Sequence, residues 1–207
     1  MNATMKRNLL DTGLLMREMT HRVSNELASA ACTISLAASR SGDREVQSVL
    51  ANAQEHLEQY ARVHRALQMP EFGTSVDVSD YLCRLCQAVS RSKLESQETK
   101  LVIGVQPMQL ASERCWMLGM IVNELITNAA RHAFTGNGGT IRVGLLESRG
   151  VGLCIVSDNG KNSGRARPNR GLKIVRSLAE SLNGSFAHKF TTRGSASIVI
   201  FPVDPDN

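Results

Sequence analysis

The segment NELITNAARHAF, residues 123–134, carries the strongest signal in this sequence. Polar side chains recur along it at helical spacing and share one side of the predicted helix: Asn123, Glu124, Asn128 and Arg131. Apolar residues at the same spacing predict a buried opposite side: Ile121, Leu125 and Ala129. The pattern therefore predicts one long helix over residues 113–134, with one buried face and one face rich in functional groups.

The polar face has the chemistry of a magnesium and phosphate site. Glu124 and Asn128 are four residues apart, so their oxygens can together hold a hydrated Mg²⁺, which takes few protein ligands and keeps several waters. Arg131 and His132 can meet phosphate groups. A helix whose polar face simply contacts solvent is the alternative that the residues alone leave open.

Two further motifs follow this helix. LCIVSDNG, residues 153–160, predicts a strand that ends in Asp158, where a carboxylate can accept a hydrogen bond from the amino group of a base, and Gly160 lets backbone approach a ligand. Asp-Asn-Gly is also a common turn sequence. A basic loop over residues 161–170 then leads through Gly171 into a predicted helix, 171–183, and a helix start of this kind can bind an anion.

The surrounding sequence predicts an α/β module. A helix is expected at about 79–92, with Asp77 or Ser79 as its cap, and strands are expected at five places: 101–105, 140–147, 151–157, 185–190 and 195–201. We expect the helices to cover one face of a mixed sheet. PEFGTS, residues 70–75, breaks the pattern and separates this module, 71–207, from an N-terminal module, 1–70.

The N-terminal module is predicted to be an antiparallel helical hairpin. Apolar residues repeat at intervals of seven along a helix over 14–39, at Met16, Val23, Ala30 and Ala37, with Met19, Leu27 and Ile34 on the same stripe. Ser41-Gly42-Asp43 supplies a turn with Asp43 as N-cap, and a second amphipathic helix covers about 44–68. Because one hairpin cannot bury both stripes, we expect two hairpins to pair as a four-helix-bundle dimer.

His21 is the candidate nucleophile of the hairpin. It falls outside the apolar stripe, and Glu18 and Asn25 lie three residues before and four residues after it, so the three form one exposed ridge. A neutral imidazole that points away from the core can attack phosphorus. An ordinary surface histidine is the alternative.

These motifs, taken in order, resemble those of bacterial histidine kinases. HRVSNEL, residues 21–27, resembles a phosphoacceptor box in which His is followed by Arg and, four residues on, by Asn. NELITNAARHAF resembles the N box of the GHKL ATPases, DNG at 158–160 and RGLKIV at 170–175 resemble their two glycine boxes, and GSASIVIFP at 194–202 resembles their closing strand. The resemblance covers roughly 14–203 and implies an α+β protein, a hairpin followed by a GHKL (Bergerat-type) α/β sandwich.

The resemblance also implies an activity and its residues. His21, with Glu18 and Asn25 as catalytic neighbours, accepts the γ-phosphoryl group of ATP and passes it to an aspartate of a response-regulator receiver domain. Asn128, with Glu124, binds Mg²⁺. The residues implied to bind the nucleotide are Asn123, Glu124, Asn128, Arg131, His132, Asp158, Gly160 and Gly171.

Departures from the family pattern keep a second function open. Asn162 stands where the first glycine box has its second glycine, Asn169-Arg170 replaces the usual Gly-Leu, and only residues 161–170 separate Gly160 from Gly171, which is a very short lid. Ser195 replaces the usual Thr. The alternative is a histidine phosphotransferase or scaffold whose GHKL module does not bind ATP. A purely protein-binding GHKL module of the anti-sigma type would not need the hairpin with its exposed histidine.

Composition excludes other classes. Aromatic residues are 4% of the chain, too few for a nucleic-acid stacking surface, and the net charge of +5 is modest. No segment approaches the about 20 apolar residues of a membrane span, so we expect a cytoplasmic protein without membrane insertion. Five cysteines, an odd number, favour reduced thiols, and Cys83 and Cys86 fall at helical spacing as core residues.

Overall fold

The computed structural model describes residues 3–134, 138–160, 170–191 and 193–204. The chain divides into two compact units, Met1–Phe72 and Gly73–Asn207. The border expected from the sequence, after residue 70, lies two residues from this division. In the described residues, no helix has the combination of length and apolar character required to cross a bilayer.

The first unit is the predicted antiparallel hairpin of two helices, α1 (Ala3–Arg40) and α2 (Arg44–Ala66). Asp43 caps α2, because its Oδ1 accepts hydrogen bonds from the backbone N–H groups of Glu45 at 2.8 Å and Val46 at 3.4 Å.

The prediction that the first helix begins at residue 14 is wrong, since α1 begins at Ala3. Thr12-Gly13 lowers helix propensity by only about 1 kcal/mol, and flanking Leu, Met, Lys and Arg residues favour a helix.

The apolar stripe of α1 divides into two rows. One row is covered within the unit, with Ser24 and Ala31 buried and Leu27 and Ile34 half-buried. The other row, which includes Val23, Ala30 and Ala37, is exposed within the chain. Large apolar residues on both helices share this exposure: Met19, Val23, Leu36, Val46, Val49 and Tyr60. The hairpin therefore covers only half of the stripe that the heptad pattern defines.

The second unit begins with a small sheet and a helix. Strands β1 (Ser75–Asp77) and β3 (Gln109–Ala111) pair antiparallel, and at three residues each they are too short to show a sequence pattern. Helix α3 (Val78–Val89) is capped by Asp77, and it continues into a π-helical turn over Ser90–Leu94 and a 3₁₀ turn over Glu95–Gln97. The expected continuous helix to residue 92 is thus replaced by a wider turn.

The main sheet has five strands in the order β2-β4-β5-β7-β6. Their bounds are β2 Thr99–Val105, β4 Gly139–Ser148, β5 Val151–Asp158, β6 Ser185–Thr191 and β7 Gly194–Pro202. Only the β2–β4 pair is parallel, so the predicted mixed sheet is confirmed.

Helices α4 (Ser112–His132) and α5 (Arg170–Ser181) complete the second unit. Ile121 and Ile126 of α4 and Val175 and Ala179 of α5 are buried, so each helix contributes an apolar face to the core. Asn183 takes a left-handed conformation with φ 57°, and the N–H of Gly184 bonds to the carbonyl of Ala179 at 2.9 Å, which ends α5. Burial of these apolar faces fixes the position of α4 and of its polar face.

Candidate functional site

The polar face of α4 meets the first turn of α5 at Gly171. A Cβ atom at Gly171 would lie 1.9 Å from Oε1 of Glu124 and 3.1 Å from Nδ2 of Asn128. Gly171 is therefore the reason that the start of α5 can approach these two side chains so closely. The structure thus brings together Glu124, Asn128 and Gly171, and it places the positive end of the α5 dipole beside them.

Lys93 lies on the flank of this face and was not singled out by its sequence. It belongs to the π-helical turn Ser90–Leu94, and its Nζ donates a hydrogen bond to Oγ1 of Thr127 on α4 at 2.7 Å. Burial lowers the pKa of Lys93, the nearby charge of Arg131 lowers it further, and the charge of Glu124 acts in the opposite direction. Lys93, Arg131 and Glu124 are therefore electrostatic neighbours.

Asp158 is a buried carboxylate at the end of β5, with 8% of the residue exposed. Its Oδ1 accepts hydrogen bonds from the N–H groups of Gly160 at 2.9 Å and Ser195 at 3.3 Å, and its Oδ2 accepts one from Oγ of Ser195 at 2.5 Å. A carboxylate offers about four acceptor positions, so Asp158 retains capacity for one further donor. Ser195, a departure from the family pattern, here holds Asp158 in place.

Glycines and Asn159 shape the backbone around Asp158. A Cβ atom at Gly160 would lie 2.0 Å from the carbonyl oxygen of Ala133, and one at Gly194 would lie 1.9 Å from that of Asp158. Asn159 ties the turn to β4, since its Oδ1 accepts from the N–H of Thr140 at 2.7 Å. The Asp-Asn-Gly turn is therefore hydrogen-bonded to β4 through Asn159 and to β7 through Asp158. The sequence analysis did not predict this role of Asn159.

The exposed ridge on α1 has the predicted composition. Nδ1 of His21 lies 3.2 Å from Nδ2 of Asn25, and both residues are exposed. The Glu18 carboxylate pairs with Nε of Arg22 at 2.9 Å, and this hydrogen bond and charge lower the pKa of Glu18. Asn25 is therefore the direct neighbour of the imidazole, while Glu18 is bound to Arg22.

The residues of the second unit fit a magnesium nucleotide. Glu124 and Asn128 offer the carboxylate and carboxamide oxygens that Mg²⁺ prefers. The approach allowed by Gly171 brings the α5 N-terminus to the same place, where phosphates bind readily, and Asp158 can accept from the amino group of a base. Arg131 and His132 are exposed at the end of α4. The basic residues Lys161, Arg165 and Arg167 of the expected lid, with Asn162 and Asn169, lie outside the described residues.

This fold defines a class of protein in which a helical hairpin is followed by an α/β domain with a mixed sheet. Residues 18–93 match a family model described as histidine kinase. The chain is 27% identical over 208 residues to the sensor histidine kinase PdtaS of Mycolicibacterium smegmatis, an alignment that covers 94% of this chain and 40% of that protein. The chain thus spans about two fifths of the length of the curated relatives it matches.

Solved structures share the fold. The histidine kinase domain of the blue-light activated histidine kinase EL346 of Erythrobacter litoralis superimposes with a TM-score of 0.62 at 18% identity, over 86% of this chain and 96% of that domain. A structure described as a bacterial phosphotransferase superimposes with a TM-score of 0.61 at 13% identity, over 92% of this chain and 96% of that chain. The chain is therefore similar to histidine kinases in three ways: in the family match over residues 18–93, in the sequence of the PdtaS relative and in the fold of the solved domain.

Proposed function

We propose that this chain autophosphorylates His21 from Mg-ATP and passes the phosphoryl group to an aspartate of a response-regulator receiver domain. The observation that carries the proposal is the combination of an exposed His21–Asn25 pair on the hairpin with the Glu124–Asn128–Gly171 arrangement in the α/β unit. Neither arrangement contributes to an apolar core, so each is better explained by chemistry than by stability.

The hairpin residues supply the nucleophile. When the Asn25 amide turns its Oδ1 toward the ring, that oxygen accepts the Nδ1 hydrogen of His21 and leaves the lone pair on Nε2. Nε2 then forms a bond to the γ-phosphorus as the bond to the bridging oxygen breaks and ADP leaves. The Nδ1 proton, acidified by this step, passes to an acceptor on the same ridge or to water. Glu18 is the candidate acceptor, and Arg22 holds its carboxylate one helical turn from His21.

The α/β residues position the nucleotide. Asn128 and Glu124 hold Mg²⁺, which neutralises phosphate charge during transfer, and Asn123 lies beside them. Arg131 and His132 bind phosphate oxygens, and Asp158 accepts a hydrogen bond from the adenine amino group. Gly160 and Gly171 allow the backbone at both ends of the lid to approach the ligand.

The direct experiment is incubation of the purified chain with γ-labelled ATP and Mg²⁺, followed by detection of acid-labile label. Label on the protein supports the kinase, and an unphosphorylated receiver domain must then accept the phosphoryl group from it. Calorimetry with millimolar Mg-ATP provides the second measurement. Absence of both label and nucleotide binding would contradict the kinase proposal.

A phosphotransferase is the second candidate. It is favoured by Asn162 and Asn169-Arg170, which stand where the glycine boxes usually have Gly and Gly-Leu. In this case His21 exchanges a phosphoryl group between receiver domains, and the α/β unit binds no ATP. The distinguishing result is labelling of His21 by a phosphorylated receiver in a protein that shows no affinity for Mg-ATP.

We also propose a homodimer through the exposed row of the hairpin, and Val49→Asp is expected to dissociate it. Val49 is 62% exposed within the chain, so the substitution leaves hairpin packing intact, whereas a charge in the seam between two hairpins is costly. Light scattering should show a species of twice 22.5 kDa for the wild type and of 22.5 kDa for the variant.

The matched control is Ser48→Asp, which adds the same charge to the neighbouring exposed residue of α2. It should remain dimeric because successive helical residues face different directions. A wild-type chain that scatters only as a 22.5 kDa species at micromolar concentration would contradict the dimer.

Gly171→Ala is expected to weaken Mg-ATP binding about tenfold while leaving the melting temperature nearly unchanged. The new Cβ forces the Glu124 carboxylate out of its position, and loss of one interaction with a charged group corresponds to roughly this factor. The fold tolerates the change because the displaced atom is the end of a flexible side chain. Calorimetry and thermal unfolding separate the two effects.

Gly104→Ala is the control for this substitution. No atom lies within 4 Å of a Cβ built at Gly104 on β2. Mg-ATP affinity should therefore equal that of the wild type. Equal nucleotide affinity in the Gly171 and Gly104 variants would show that the α5 N-terminus does not form part of the site.

A further inference from the structure

Lys93 reaches the nucleotide site from a segment that contains none of the recognised motifs. The π-helical turn Ser90–Leu94 follows α3, and its wider winding carries Lys93 to α4, where Nζ donates to Thr127 at 2.7 Å. Thr127 precedes Asn128 and lies one helical turn from both Glu124 and Arg131. π-Helical turns are rare and occur frequently at functional sites.

The ammonium group of Lys93 has no ion-pair partner among the described residues. Throughout the described segments, no carboxylate lies within ion-pair distance of Nζ of Lys93, and both ion pairs identified there belong to the hairpin. Lys93 and Arg131 contribute two positive charges to this flank, and Glu124 contributes one negative charge. Among the described residues, Nζ of Lys93 hydrogen-bonds only to the hydroxyl of Thr127, so an anion would stabilise this half-buried ammonium group.

Two buried polar atoms near Lys93 also lack partners. In the part of the chain that the structure describes, Oγ of Ser92 and Oδ1 of Asn123 have no hydrogen-bond partner. Ser92 precedes Lys93 in the π-helical turn, and Asn123 lies four residues before Thr127 on the same ridge of α4. Buried polar groups normally form hydrogen bonds with protein, water or ligand. The two atoms are therefore available to form hydrogen bonds with a bound ligand.

We infer that Lys93 is a phosphate-binding residue of the nucleotide site, placed by Thr127 to contact the terminal phosphates together with Arg131. The inference rests on the proposed nucleotide binding and adds a ligand from outside the N box and the glycine boxes. An ammonium group provides a positive point charge that attracts phosphate oxygens. It also has three N–H donors, one of which already bonds Thr127.

The test compares affinities for Mg-ATP, Mg-ADP and adenosine by calorimetry in the full chain. Lys93→Met should weaken Mg-ATP binding about tenfold and Mg-ADP binding less, while adenosine affinity stays equal to that of the wild type, because only the phosphates carry the charge. Lys93→Arg should retain most of the preference for ATP. Lys100→Met, on an exposed residue of β2, is the control and should bind all three ligands as the wild type does.

The unliganded melting temperature separates ligand binding from a structural role. Lys93→Met should unfold at or above the wild-type temperature, because it removes a partly buried charge, and Lys93→Gln serves in the same way if the Met variant does not fold. Equal losses for ATP and adenosine with a lower melting temperature would show that Lys93 only supports α4, and would overturn the inference. Unchanged ATP affinity in Lys93→Met would overturn it as well, with nucleotide binding intact. A wild type that binds none of the three ligands would refute nucleotide binding itself.

Discussion

His21→Gln is expected to abolish acid-labile labelling of the chain, whether the phosphoryl donor is Mg-ATP or a phosphorylated receiver domain. Glutamine has no ring nitrogen with a nucleophilic lone pair, so the phosphorus–nitrogen bond cannot form. The helix should persist, because His21 is exposed and its side chain contacts the neighbouring Asn25 on the same helix. The measurement is label retained on the protein, with circular dichroism to confirm that the helical content is unchanged.

His56→Gln provides the matched control, since His56 is an exposed histidine on the other helix of the hairpin. It should label as the wild type does. Because both donors are tested, the result assigns the phosphoacceptor for the kinase and for the phosphotransferase alike. Label that persists in His21→Gln would transfer the role to another histidine and would refute the proposed site.

Asn128→Ala should weaken Mg-ATP binding by about 10- to 100-fold, which is the range expected when an interaction with a charged group is lost. The change removes the carboxamide oxygen that we assign to Mg²⁺ and leaves Glu124 to hold the ion alone. Adenosine binding should be retained, because Asp158 and its partner Ser195 are untouched. Calorimetry with ATP in the presence of Mg²⁺ and in the presence of a chelator isolates the part that depends on the metal.

Asn52→Ala controls for the loss of a carboxamide, since Asn52 is exposed on α2 in the other unit. Its affinity for Mg-ATP should match that of the wild type. Autophosphorylation of Asn128→Ala should fall at least as far as binding, since the metal also neutralises charge during transfer. If Mg-ATP affinity proves independent of Asn128, the N-box assignment is wrong even where nucleotide binding persists.

The sequence was sufficient for the architecture because its periodic segments are long. The heptad spacing of α1, the Asp43 cap and the β-branched and apolar composition of β4 and β5 each specify a local structure that packing then maintains. Where a segment is short, the pattern fails. β1 and β3 have three residues each and are held by pairing with each other. The start of α1 was placed 11 residues too late, at 14 instead of 3, because the apolar repeat at intervals of seven begins at Met16.

The division of the apolar stripe on α1 also required the structure. A heptad pattern identifies apolar residues but does not say which partner covers each of them. Ser24 and Ala31 are buried, whereas Val23 and Ala30 are exposed, since two helices in a hairpin can cover only one side of a broad stripe. The sequence thus predicts a dimer, and the residues that remain exposed on the hairpin show which surface would form its interface.

The sequence by itself determined which chemical groups this protein carries: an imidazole beside a carboxamide on the hairpin, and oxygen ligands and cations on α4 that are spaced by the helix repeat. Contacts between residues distant in the chain were decided by tertiary structure alone. Gly171 meets Glu124, Ser195 holds Asp158, and Lys93 bonds Thr127 across 34 residues. Helical periodicity relates residues three or four positions apart, whereas these contacts depend on how α4, α5 and the sheet pack, which no local pattern encodes.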